Sequence, residues 1–252
     1  MLRIFTILLI LPSMVWAQIL AVSERSGEFI QRSHYSLNYN EEHEVANWVE
    51  YTLEKEQLKN CANRSRYFKI DDLLSTGSAN TEDYRNSGFD RGHLVPAGDM
   101  KFSKKAMEDT FFMSNITPQP SKFNQGRWGN LEHLLRAWAY NYKKIWIVTG
   151  PVLRNSLPWI GVRNQVSVPE EYFKVILRKT SNGYKGIAFL MPTSVPYSDV
   201  KLYALDIDSV EDLTGINFFP FLTKSQEEKA EKSFELTDWD FNGRFAYLPC
   251  LP

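Results

Sequence analysis

Cysteine is nearly absent from this 252-residue chain: only Cys61 and Cys250 occur, with no Cys-x-x-Cys pair. That spacing excludes the usual structural zinc sites. Histidine is almost as sparse, with His34, His43, His93 and His133, so few residues qualify as an imidazole base. Beyond the first residues, no stretch is apolar enough to cross a membrane. Positive charge is not in excess either, since 29 Lys and Arg stand against 30 Asp and Glu, a formal −1. Stable nucleic-acid binders are usually basic, because affinity comes from neutralising phosphates. The balance therefore weighs against a tight, non-catalytic binder, whereas a turnover enzyme manages with a local patch. Arg64, Arg66, Lys69, Arg85, Arg91, Lys101, Lys104, Lys105, Lys122, Arg127 and Arg136 are the residues available for one. Internal repeats, low-complexity tracts and linkers are also missing, and nothing in the composition suggests disorder.

What is present begins with a leader. Arg3 supplies a short positive region, Ile4 to Trp16 is apolar, and Val15-Trp16-Ala17 has the small residues of a cleavage site. Residues 1–17 therefore read as a signal peptide cut before Gln18, with an uncleaved anchor as the alternative. This implies a secreted or periplasmic protein with no stable membrane association after cleavage. A mitochondrial presequence would be Arg-rich and amphipathic, which this one is not. Residues 18–252 suit one domain, and 7 Trp, 12 Tyr and 16 Phe give ample core. In an oxidising compartment a single Cys61–Cys250 bridge is the natural pairing, with two free thiols as the alternative.

Hydrophobic pattern places strands at Val45–Leu53, Tyr67–Ile70, Phe111–Met113, Ile145–Val148, Tyr172–Leu177, Ile187–Met191 and Ala204–Ile207. Ser103–Thr110 reads as a helical turn, and Pro118 and Pro120 as breaks. From Gln125 to about Tyr142, Leu131, Leu134, Leu135 and Trp138 recur at helical spacing. Asn124, Trp128, Glu132 and Arg136 step by four along the same segment, an edge expected to face a cleft. Val210–Gly215 reads as a short helix capped by Ser209, and the tail from Thr223 as a charged helix followed by packing aromatics.

Two linked motifs carry the chemistry: Gly88-Phe89-Asp90-Arg91-Gly92-His93, and Ser114-Asn115-Ile116-Thr117-Pro118-Gln119 running on to Asn124, Trp128, Glu132 and Arg136. Together they hold an imidazole, a neutral oxygen ligand, a carboxylate and arginines. Phosphodiester hydrolysis through one magnesium ion needs that set. Neutral imidazole serves as base near pH 7, and magnesium needs only one or two protein oxygens. Arginine grips phosphate through its planar fork.

Residues from about 35 to 222 resemble the DNA/RNA non-specific endonucleases. The resemblance rests on Asp90-Arg91-Gly92-His93, the Asn115 motif and the Asn124…Trp128…Leu131-Glu132…Arg136 series. Thr149-Gly150-Pro151, Val168-Pro169…Phe173-Lys174 and Ser209–Gly215…Phe218-Phe219-Pro220 follow in family order. It implies an α+β, ββα-metal (His-Me finger) fold with a central antiparallel sheet flanked by helices. It also implies that His93 is the general base, Asn124 the direct Mg2+ ligand (Mn2+ may substitute), and Glu132, with Asp90, an orienter of waters on the metal. Arg91 and Arg136 would stabilise the phosphoryl group. Arg64 fits the register of an upstream arginine before Phe68 and Asp71, and Asn115 would shape the His93 loop. Residues 223–252 form an extension outside the pattern.

The expected activity is non-specific cleavage of DNA and RNA to 5′-phosphate products, since phosphate contacts carry little sequence information. Two rivals remain: a catalytically inactive nucleic-acid-binding protein, and a metal-dependent phosphodiesterase on a small substrate. A homodimer and an inhibitor protein are left open. His34, His43 and His133 read as surface or structural residues. Asn115-Ile116-Thr117 and Asn63-Arg64-Ser65 match the glycosylation acceptor but are expected bare.

Overall fold

The structure is a computed structural model describing Val22 and residues 27–194, 199–232 and 234–250; the signal peptide expected at 1–17 lies outside the described residues. Strands β1 (Glu28–Gln31), β2 (Tyr35–Asn40) and β3 (Val45–Glu54) open the chain. A second strand pair, β4 (Asp90–His93) and β5 (Ile116–Gln119), brackets helix α1 (Lys104–Asp109). Helix α2 (Gly129–Tyr142) leads into β6 (Lys144–Pro151), and a small pair, β7 (Trp159–Ile160) and β8 (Val166–Ser167), follows. Then come β9 (Glu171–Thr180), β10 (Gly183–Pro192), β11 (Ala204–Leu205), α3 (Ile207–Thr214) and α4 (Lys224–Glu231).

Seven strands form one antiparallel sheet in the order β1-β2-β3-β6-β9-β10-β11. Its side chains alternate between two cores, as the two-residue period of a strand requires. Val49, Tyr51, Ile147, Ile176, Ile187 and Phe189 face one side, where Leu131, Leu135 and Trp138 of α2 pack. Trp48, Val148, Val175, Leu177 and Ala188 face the other, against Ile207 and Val210 of α3 and Ala230 of α4. Because both faces are covered, the central strands read as almost continuous apolar runs. The expected α+β architecture with helices flanking an antiparallel sheet is what the chain adopts.

Several expectations are corrected. Tyr67–Ile70 is not a strand; Lys69 makes only an isolated bridge to Phe112. Phe111–Met113 is not one either, and the strand begins at Ile116 after a 3-10 turn at Met113–Asn115. Pro118 does not break it: it pairs with Arg91 at the rim of a two-stranded ribbon, where its missing N–H costs nothing. Ile207 belongs to α3, whose cap is Asp206, which accepts from the Ser209 N–H at 2.8 Å, and which Gly215 ends at φ +70°.

The chain leading into α2 departs furthest from a regular helix. Regular helix starts only at Gly129, and Phe123–Trp128 forms a wide π-type turn in which Gly126 leaves helical backbone (φ −99°, ψ −108°). The four-residue steps from Asn124 to Arg136 thus do not lie on one straight edge. Trp128 is fully buried, stacked with Phe123 and tilted against Tyr172. A π-turn inside a helix commonly marks a functional position.

Beyond α4, the end of the tail packs on the α2 side of the sheet, through Trp239, Phe241, Phe245 and Tyr247. Trp239 packs tilted against Trp138 at 4.5 Å between centroids, the Trp138 indole N–H donates to the Asp240 carbonyl, and Tyr247 donates to the Gly98 carbonyl at 2.9 Å. The Cys61–Cys250 disulfide fixes its end.

Candidate active site

The β4–β5 ribbon and α2 bring the sequence motifs together. Gly92 is required by packing, since a Cβ there would stand 2.3 Å from the Gln119 side chain across the ribbon. Asn115 is buried and ties the strand exit. Its Oδ1 accepts from the Val95 N–H at 2.9 Å, its Nδ2 donates to the Val95 and Thr110 carbonyls, and its backbone carbonyl accepts from Leu94. These bonds set the chain immediately after His93. Full burial also removes Asn115 as a glycan acceptor.

His93 is 7 % exposed, with Phe111 at 4.7 Å edge-on and Phe68 at 5.7 Å between ring centroids. Its Nε2 has no hydrogen-bond partner among the described residues. Burial lowers its pKa to about 3, assisted by the positive charges of Arg64 and Arg91 and opposed by a backbone hydrogen bond at Arg91. The ring is held neutral, with an open lone-pair position, which is the state a proton acceptor needs.

Asp90 sits three residues earlier on the same strand. It accepts from Ser121 Oγ at 2.6 Å, Asn124 Nδ2 at 2.9 Å and Gln125 Nε2 at 2.9 Å. Burial raises its pKa, but these three donors outweigh burial and hold the carboxylate below its usual range. With Nδ2 of Asn124 turned to Asp90, Oδ1 of Asn124 is the amide oxygen left to meet a cation. Asp90 therefore orients Asn124 directly. The wide turn before α2 makes this geometry, by lifting Asn124 off the regular helix path.

Glu132, in the first turn of α2, is half-buried, and no hydrogen bond satisfies its carboxylate among the described residues. Burial raises its pKa, and Lys174, Arg136 and Arg64 pull it back down. Lys174 is fully buried in β9, its Nζ donating to Thr149 Oγ1 at 3.2 Å and lying 4.3 Å from the centre of the Trp128 ring. Burial pushes its ammonium pKa down while Glu132 raises it. Glu132 and Lys174 thus act on each other through charge, with no ion pair joining them among the described residues.

The arginines divide into two groups. Arg64 and Arg91 are exposed, with their guanidinium groups over the Phe111 and Phe68 rings at 5.2 and 4.4 Å, beside His93. Arg136 is buried instead, with Nη1 donating to Asp99 Oδ1 at 2.6 Å, while Asp99 Oδ2 accepts from the Tyr51 hydroxyl at 2.9 Å. Its guanidinium underlies the site rather than lining it. Arg127 is also buried, donating to the Tyr203 hydroxyl, and Lys104 and Lys105 pair with Glu108 and Asp109. Of the basic residues considered, Arg64, Arg66, Lys69, Arg85, Arg91 and Lys122 remain exposed without an ion-pair partner among the described residues. A cleft of about 770 Å³ opens beside Asp90, Arg91 and Asn124, with Arg85, Phe68 and Tyr84 on its walls.

The Arg64 segment is anchored by Asp71, which takes hydrogen bonds from Arg32 and from Ser114 of the second motif. Sequence reasoning gave no role to Arg32, Asp99, Lys174, Ser121 or Gln125. Lys174 carried a signal, as a lone cation inside the apolar run Tyr172–Leu177. Asp99 carried none, because its partner is 37 residues away. Elsewhere, His43 bonds Ser167 through Nδ1, and His34 packs edge-on against Phe102.

A free imidazole nitrogen, an oriented amide oxygen, an unsatisfied carboxylate and two exposed arginines suit a hard cation and an anionic substrate. Comparison with known proteins points the same way. The model of the DNA/RNA non-specific endonuclease family matches residues 19–225. The chain is 33 % identical over 203 residues to the mitochondrial endonuclease G of Bos taurus, covering 75 % of this chain and 68 % of that protein. It is 31 % identical over 217 residues to nuclease C1 of Cunninghamella echinulata var. echinulata, covering 79 % and 85 %. A solved structure of the EndoG/EndoGI complex superposes with a TM-score of 0.73 at 28 % identity, over 79 % of this chain and 89 % of that one.

Proposed function

Because this chain belongs to the DNA/RNA non-specific endonucleases and is thus an endonuclease, we propose that it hydrolyses DNA and RNA without sequence preference, using Mg2+, with His93 as general base. The observation that carries this reading is the neutral, unpartnered Nε2 of buried His93 on the same short strand as Asp90, which fixes Asn124.

His93 accepts a proton from the attacking water at Nε2. Its aromatic walls and the neighbouring arginines keep it neutral beforehand. Arg91 and Arg64 hold the phosphate and exclude other orientations. Asn124 Oδ1 would hold Mg2+ directly, and Glu132 through water. When bound, the ion neutralises charge on the phosphoryl and leaving oxygens. Asp90 acts as a positioning residue, through Asn124. Arg136, with Nη1 committed to Asp99, contributes positive field beneath Glu132 rather than a phosphate contact. The chemistry needs no 2′-hydroxyl, so both polymers are substrates. Contacts to phosphate position the strand without reading it, and 5′-phosphate products are the expected ends.

The compartment proposed is the cell exterior or periplasm, supported by the leader-like residues 1–17 and by the Cys61–Cys250 disulfide. The protein from Gln18 onward should degrade supercoiled plasmid and RNA with Mg2+, and neither with EDTA. Intact polymers alongside hydrolysis of a small phosphodiester would transfer the site to a small substrate. Gel-shift binding without any cleavage would make it a binding protein.

A further inference from the structure

Helices α3 and α4 lie on the face of the sheet opposite α2, and they bring together three acids that the nuclease chemistry does not use. Asp208 and Glu211 stand three apart on α3 and so share one face. Glu231 is the last residue of α4. One ligand oxygen from each lies within 4.8 Å of the others. Glu231 is 1 % exposed, and both of its carboxylate oxygens lack a hydrogen-bond partner among the described residues. A buried carboxylate facing two others is among the most unfavourable arrangements a fold can hold without a counter-charge.

We propose that Asp208, Glu211 and Glu231 form a second divalent-cation site, separate from the catalytic centre, that takes Ca2+ and fastens α4 to α3. The α4 helix already lies hard against the sheet, since a Cβ at Gly186 of β10 would stand 2.3 Å from the Ala230 carbonyl oxygen. Glu231 is therefore not free to swing into solvent. Glu211 is held by the Phe218 N–H, which donates to its Oε1 at 2.6 Å, leaving Oε2 for an ion. Lys232 acts on Asp208 through its charge but reaches only Glu228, at 3.7 Å, and no lysine or arginine forms an ion pair with the three acids among the described residues. Burial, with the charges of Glu211, Glu227 and Asp208 adding to it, raises the Glu231 pKa to about 8.

The donor set is all oxygen, which selects a hard ion over zinc. Three carboxylates on two separate helices give an irregular, partly open cage. Calcium accepts such a cage with six to eight oxygens, whereas magnesium demands a near-ideal octahedron. A cavity of about 380 Å³ beside Asp208 and Glu211, lined also by Asp212, Glu227 and Glu228 and by Lys224 and Lys232, leaves room for water to complete the shell. Glu231 lies beyond residue 225, where the family match ends, so the C-terminal segment of this chain completes the site.

The test is Ca2+ titration by calorimetry, with thermal melting, on the chain from Gln18 carrying Asn124→Ala, so that the catalytic centre contributes nothing. One Ca2+ should bind with a Kd on the order of 10⁻⁴ M, typical of extracellular sites. At about 10 mM Ca2+ the melting temperature should rise by several degrees. Adding Glu231→Gln, which keeps the shape and removes the charge, should weaken binding at least about tenfold, abolish the Ca2+-dependent rise and leave the calcium-free melting temperature no lower. Asp208→Asn provides the same test on a more exposed residue. Absence of saturable Ca2+ binding, or binding that survives both substitutions, overturns the proposal and leaves Glu231 a protonated carboxyl. Tighter binding of Mg2+ than of Ca2+ overturns the calcium assignment.

Discussion

Replacing Asp90 with alanine removes the acceptor of three side-chain hydrogen bonds, from Ser121 Oγ at 2.6 Å, Asn124 Nδ2 at 2.9 Å and Gln125 Nε2 at 2.9 Å. The Asn124 amide then rotates freely, and its oxygen spends only part of its time facing a cation. Loss of such an orienting partner costs about 10–100-fold in metal affinity. Asp90 is only half-buried, so water partly replaces its bonds and the low end applies, about tenfold or ~1.4 kcal/mol. Initial rates of plasmid relaxation measured against Mg2+ concentration read this directly. The Mg2+ midpoint should rise about tenfold while the rate at saturating Mg2+ falls only a few-fold. Asp90→Asn retains one acceptor oxygen and should lie between wild type and alanine. An unchanged midpoint would refute the positioning role, and a collapsed maximal rate at an unchanged midpoint would put Asp90 in the chemistry itself.

Three other perturbations separate the parts of the account. Asp99→Asn leaves the buried Arg136 guanidinium without its counter-charge, at a cost of about 3–5 kcal/mol. The melting temperature should fall by roughly 10 °C; a change under about 2 °C would mean water already solvates that cation. The Cys61–Cys250 bridge closes a loop of 189 residues, for which chain entropy gives about 5 kcal/mol as an upper value. Reduction should lower both melting temperature and activity, since Cys61 lies just before the Arg64 segment, and no change in either would end that idea. Burial raises the Glu132 pKa and Lys174 restrains it. Activity that needs ionised Glu132 fades as pH falls through that raised value. Lys174→Met should raise it further and move the acid limb of kcat/KM to higher pH, whereas an unmoved limb would sever the pair.

The long β3, β6, β9 and β10 strands were legible in the sequence because apolar runs bounded by turns have few other readings. His93, Asn115 and Asn124 stand out in the sequence as candidates because each lies inside a motif of fixed spacing. The approach to α2 was not, because helical periodicity in 124–136 survives a π-turn that only the Gly126 backbone reveals. The resemblance implies that Asp90 orients waters on the metal, and nothing in the spacing shows Ser121, Asn124 and Gln125 converging on it. The resemblance implies a phosphate role for Arg136, and the four-residue step from Glu132 is compatible with it, yet its counter-charge Asp99 comes from a distant loop. Spacing along one element is local information. The partners of buried charges are set by tertiary contacts that the order of residues does not encode simply.

The most direct measurement is the single-turnover cleavage rate of a labelled DNA duplex by wild type, His93→Ala and Asn124→Ala across a Mg2+ series, with DNA affinity measured in parallel. The account predicts that His93→Ala loses about 10²–10⁴-fold in rate at every Mg2+ concentration, that Asn124→Ala is partly rescued by raising Mg2+, and that both bind DNA within a few-fold of wild type. His93→Ala cleaving within about tenfold of wild type would contradict it, and the base would have to be sought elsewhere in the cleft.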